Sequence, residues 1–153
     1  MKRIVLISLL LLFGKYLLGQ ECRHFHLGVE CRLDKIGGFK LNSQSKGVSI
    51  QYGVVNKFQV ALIGSYEYKV NVCSQPGFGI IHFRIISTED QRIIYDNEKH
   101  NYIQDLTFTN DATKVVIFEI YFIDTEKNAK EIWDTGICLG ILIYWHKIES
   151  ETY

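Results

Sequence analysis

YEYKVNVC, residues 66–73, puts Tyr66, Tyr68, Val70 and Val72 on one parity and Glu67, Lys69 and Asn71 on the other. A helix would bring apolar residues round every three or four positions. Strict alternation instead marks an extended strand with one face buried and one face wet. The pattern spreads outward from there. Upstream, Phe58, Val60 and Leu62 alternate with Gln59 and Ala61. Downstream, Ile81, Phe83 and Ile85 alternate with His82 and Arg84, and Val116, Phe118, Ile120 and Phe122 share a face opposite Ile117, Glu119 and Tyr121. The run from Ile137 to Trp145 is apolar on both parities, which suits a central strand covered on both sides.

Turn-forming residues stand between these runs: Asn42-Ser43, Gly64-Ser65, Gln75-Pro76-Gly77, Ser87-Thr88-Glu89-Asp90, Asp96-Asn97 and Thr109-Asn110-Asp111. Their side chains reach turn backbone angles or bond their own main chain, so the small acidic clusters read as places where a strand reverses. Pro76 is the single proline, and helical spacing is scarce after the first residues. The expected fold is all-β: a two-sheet antiparallel β-sandwich of jelly-roll type with about eight strands. Residues 124–133, DTEKNAKEIW, form the longest polar interruption and read as a projecting loop or a single helical turn.

Lys2 and Arg3 precede an apolar run, Ile4 to Phe13, that Gly14 and Lys15 interrupt, and Leu17-Leu18-Gly19 follows. This is the layout of a signal peptide over residues 1–19, with 20–153 as a single domain. The run is about half the roughly 20 residues that a membrane span needs. Without residues 1–19, 14 basic residues would face 17 acidic ones. A mildly acidic domain with no basic stripe is a poor match for nucleic acid. The expected location is exported, periplasmic or extracellular, with no membrane contact after cleavage.

Four cysteines, Cys22, Cys31, Cys73 and Cys138, read as structural disulfides in an exported chain. Three connectivities are open. Sequence proximity favours Cys22 with Cys31, and strand-end positions favour Cys73 with Cys138. In the chain-entropy account these would be worth about 2.5 and about 4 kcal/mol.

Several constellations have the residue types for chemistry. On a strand, Cys22, His24 and His26 would share a face with Cys31 nearby, the makings of a metal corner, but a Cys22–Cys31 disulfide would consume its sulfur ligands. Ser43-Gln44-Ser45-Lys46 spells S-x-x-K without the helix that its chemistry needs. Glu89, Asp90, Asp96, Glu98 and Asp111 lack calcium-loop spacing and read as solvated turn residues. His82, His100 and His146 are scattered, and neither G-x-S-x-G nor H-E-x-x-H occurs. The expectation is no catalytic residue, no metal and no cofactor. Trp133 ends a polar stretch, and with Tyr95 and Tyr102 it is the candidate binding platform for a sugar or a protein partner.

The ordered segments YEYKVNVC, IIHFRII, RIIYDN, YIQDLTFT, KVVIFEIYF and GICLGILI resemble a group of small uncharacterised exported proteins of Bacteroidota-type bacteria, over roughly residues 38–146. More loosely, their order is similar to pre-peptidase C-terminal and GOLD-like sandwiches, which are non-catalytic modules. The resemblance implies fold and supplies no catalytic residues. The function expected is a non-catalytic envelope accessory or protein-interaction module, with a carbohydrate-binding module and a hydrolase as alternatives. The partner would be an envelope protein or glycan, and oligomeric state is left open.

Overall fold

The computed structural model describes residues 22–33, 36–123 and 136–148. Among these described residues, nine strands run in chain order: β1 (Lys40–Leu41), β2 (Lys46–Ile50), β3 (Asn56–Leu62), β4 (Tyr66–Ser74), β5 (Ile80–Ser87), β6 (Ile93–Asp96), β7 (Asp105–Asn110), β8 (Lys114–Ile123) and β9 (Ile137–Lys147). Among the described residues the only helical pieces are short 3₁₀ turns, and no helix is long and apolar enough to cross a membrane. The ninth strand, beyond the expected eight, is the two-residue β1.

Four antiparallel pairs, β2 with β9, β3 with β8, β4 with β7 and β5 with β6, make the chain one long doubled ribbon that turns back between β5 and β6. Two further pairings, β4 with β9 and β5 with β8, roll that ribbon into two sheets. One sheet reads β1-β9-β4-β7, with β2 also on β9, and the other reads β3-β8-β5-β6. This is the jelly-roll winding of a β-sandwich. The expected acidic reversal is the β5–β6 turn, where Ser87 N–H donates to the Arg92 carbonyl and Gln91 takes a positive φ.

The alternation in sequence becomes the core. Tyr68, Val70 and Val72 of β4 and Ile137, Leu139, Ile141 and Ile143 of β9 share it with Phe83 and Ile85 of β5 and Val116, Phe118 and Ile120 of β8, all buried. Burying each such side chain contributes about 1.5–3 kcal/mol. β9 lies inside its sheet, between β4 on one side and β1 and β2 on the other. Its second parity, including Leu142 and Tyr144, is buried in a smaller cluster with Cys31 and Cys73, against which Phe25, Leu33, Ile36 and Phe39 pack.

The two seams between the sheets differ. At β3 the side-chain amide of Gln44 acts as a strand partner: it donates to the Ala61 carbonyl and accepts from Ala61 N–H, both at 2.9 Å. Beside it the Lys46 ammonium sits 4.6 Å over the Phe58 ring. At the opposite seam, β6 and β7 are the edge strands, and a cavity opens between them.

The disulfides are Cys22–Cys138 and Cys31–Cys73, which corrects the pairing favoured from sequence. Cys73 stands opposite Gly140, two residues along β9 from Cys138. Such diagonal positions lie about 7–8 Å apart, beyond the usual Cα separation of a disulfide. Each cysteine of the N-terminal segment reaches a different strand instead, with Cα separations of 4.9 and 5.3 Å.

Candidate functional site

Residues 22–31 do not form the strand that would align Cys22, His24 and His26. They curl into two 3₁₀ turns, Phe25–Leu27 and Val29–Cys31, with Leu27 N–H donating to the His24 carbonyl and Gly28 N–H to that of Phe25. Cys22 ties one end of this segment to β9 and Cys31 ties the other to β4. Asn71 of β4 adds a hydrogen bond from Nδ2 to the Cys31 carbonyl, 3.1 Å. Both sulfur ligands of the metal corner are therefore consumed.

The segment lies on a floor made by two glycines. A Cβ at Gly140 would stand 2.6 Å from both sulfurs of the Cys31–Cys73 bond, and one at Gly47 would overlap the Cys22 carbonyl. Held this close, the segment turns apolar side chains outward: Val29 is 79% exposed and Leu27 61%. Together with Leu41, Leu142, Tyr144 and Arg32 they border a groove of about 240 Å³. His26 also lines it, with a buried Nδ1 that has no hydrogen-bond partner. Burial, assisted by neighbouring His24, holds its imidazole below the ordinary value of 6.5, which favours the neutral ring.

The outer face of the other sheet carries a charge ladder. Lys57 of β3, Glu119 of β8, Arg84 of β5 and Asp96 of β6 occupy one row of paired positions. Lys57 Nζ is 3.2 Å from Glu119 Oε2, Arg84 Nη1 is 3.4 Å from Glu119 Oε1, and Arg84 Nε is 3.0 Å from Asp96 Oδ2. Asp96 Oδ1 takes His82 Nε2 at 2.6 Å and Glu98 N–H at 3.1 Å. Burial opposes ionisation of Asp96, but these hydrogen bonds and the nearby Arg84 charge outweigh it and hold its carboxyl below 3.8. His82 is 2% exposed, flanked by the rings of Tyr121 at 4.7 Å and Tyr102 at 5.7 Å. Burial pushes the Tyr121 hydroxyl above its ordinary value; Arg84 opposes that, and the carboxylates of Asp96 and Glu119 add to it.

Ligand atoms of His82, Asp96 and Glu98 lie within 4.8 Å of one another, the spacing of a cation site. Arg84 on the second Asp96 oxygen already supplies the compensating positive charge. The arrangement is an ion-pair network that pins four strands in register.

The aromatic platform divides. Tyr95 pairs with Ile85 and packs inward against Phe83 and the core, stacked on His100 at 5.2 Å. Tyr102 packs against His82 on the outer side of the same sheet, with a left-handed φ of 57°. Trp133 lies outside the described residues. Asp90 pairs with Arg92 in the β5–β6 turn, whereas Asp96 ends β6, so those carboxylates serve separate structures. Ser43 and Ser45 lie in the turn before β2 as expected; Ser45 Oγ accepts Ile143 N–H at 2.9 Å. Sequence reasoning misses the clamped segment because proximity pairs its cysteines with each other. Leu27 and Val29, apolar residues between two cysteines, were the available signal.

No protein-family model matches the chain, and no curated protein matches it. Among solved structures it is similar to the crystal structure of Aeromonas hydrophila PliG, a periplasmic lysozyme inhibitor of g-type lysozyme. The TM-score is 0.44 at 8% identity, over 74% of this chain and 90% of that one, a distant likeness of overall fold.

Proposed function

We propose that the chain is a non-catalytic, exported protein-interaction module whose docking surface is the disulfide-clamped segment 22–31 and the groove beside it. One observation carries this reading: both disulfides are spent on fixing one short surface segment that presents Leu27 and Val29 to solvent. A segment fixed before binding loses little conformational freedom on binding, which is how preorganisation raises affinity. Apolar anchors beside Arg32 and a groove of side-chain size suit a partner that offers one large apolar side chain next to an acidic one. Two disulfides belong to an oxidising compartment, periplasmic or extracellular. The likeness of strand order to small exported proteins and to non-catalytic sandwiches points the same way.

A binding role is favoured over catalysis because the His82–Asp96 pair is shut beneath Tyr102 and Tyr121 and its carboxylate is held by Arg84 and Glu98 N–H. The carbohydrate-binding alternative rests on Tyr102 and Trp133, since Tyr95 faces the core.

The test is a mild cross-linking pull-down of the tagged domain from its native envelope, beside a Leu27→Asp/Val29→Asp variant. Both positions are exposed, so stability should change by less than about 0.5 kcal/mol per site. A stoichiometric protein partner that the variant loses supports the proposal. A partner retained by the variant, or recovery of polysaccharide alone, refutes it.

A further inference from the structure

The cavity in the β6–β7 seam is independent of the docking surface, which lies on the outer face of the sheet built around β9. Its walls come from both sheets: Ile85, Tyr95 and Val116 from one, Leu106 and Phe108 from the other. It encloses about 190 Å³. At the opposite seam the Gln44 amide bonds to Ala61 and the Lys46 ammonium lies over Phe58, contacts that bridge that edge.

Lys114 is the cation of the cavity lining. It opens β8 opposite Leu62 and shares parity with Val116 and Phe118, which are buried in the core. A lysine on the core-facing parity at the end of a strand directs its stem along the apolar wall and its ammonium to the mouth. Among the described residues it forms no ion pair, unlike Lys57 on the outer face of the same sheet. An apolar slot with one unpaired cation at its rim is complementary to an amphiphile with an anionic head.

We propose that this seam binds a medium-chain aliphatic carboxylate, with the tail between Phe108 and Ile85 and the carboxylate at Lys114. An apolar cavity of about 150 Å³ takes benzene, so this one has room for a tail of about six to eight carbons.

The experiment titrates the full chain with octanoate and, separately, octylamine, following the methyl resonances of Ile85, Leu106 and Val116. Octanoate should shift those methyls saturably and bind about two- to fivefold more tightly than octylamine, the range of one exposed ion pair. Lys114→Glu should reverse that order, and Ile94→Trp, at an exposed rim position, should abolish binding of both. The proposal is overturned if neither probe gives saturable shifts at millimolar concentration, if the shifts fall outside the cavity, or if the order survives Lys114→Glu.

Discussion

Gly47 and Gly140 stand directly opposite each other on β2 and β9, and the backbone of residues 22–26 rests where their side chains would be. Two adjacent strands thus lower their surface at one point, and the disulfide-bonded segment fills the dip. Gly140→Ala should push against the Cys31–Cys73 sulfurs and the His26 backbone. The expected outcome is incomplete formation of that disulfide and a loss approaching its whole contribution, about 4 kcal/mol. Thiol titration and thermal unfolding check it; full oxidation with unchanged stability would show that the segment can rise without cost.

The two disulfides are nested, one spanning 116 residues and the other 42. Chain entropy assigns them about 5 and about 4 kcal/mol. Peptide mapping without reduction should recover Cys22 linked to Cys138 and Cys31 linked to Cys73. A Cys22–Cys31 peptide would contradict the clamp.

Asp96 joins His82, Arg84 and the start of the 3₁₀ turn Asn97–His100. Asp96→Asn should cost about 2 kcal/mol, since buried His82 loses its carboxylate partner while the partly exposed Arg84 keeps only Glu119. The folded carboxyl titrates below 3.8, so the unfolded state binds more protons as acid is added. This contribution is complete above about pH 4 and is lost as pH falls through the lower folded value. Urea unfolding of both proteins at several pH values should show the difference between them shrinking in acid.

His26 works at a higher pH. Its folded value lies below 6.5, so between the two values the unfolded chain binds the proton and stability rises with pH. The contribution is complete above pH 6.5 and declines as pH drops beneath it. His26→Gln should flatten that part of the profile, with the readout being denaturant midpoints from about pH 5 to about pH 8. An unchanged slope would remove His26 as its source.

The strands were readable because alternation is a local consequence of pleating. In YEYKVNVC and KVVIFEIYF the side-chain period itself reports which face is buried, whatever that face packs against. Ile137–Trp145 was readable as central for the same reason, since it has no polar parity. The charge ladder was only half legible: Lys57, Arg84 and Glu119 each sit on the wet parity of their strand, but Lys57 and Glu119 are far apart in the chain, and register alone makes them neighbours.

By itself, then, the sequence determined the all-β class, the turns and the core-facing residues, all of which depend on neighbours one or two positions away. The tertiary structure alone decided the disulfide pairing, the separation of Tyr95 from Tyr102 onto opposite faces of a sheet, and the open seam at Lys114. Each of these depends on which strand lies beside which. That choice is made by the rolling of a ribbon whose partners are far apart in the chain, and no local pattern encodes it.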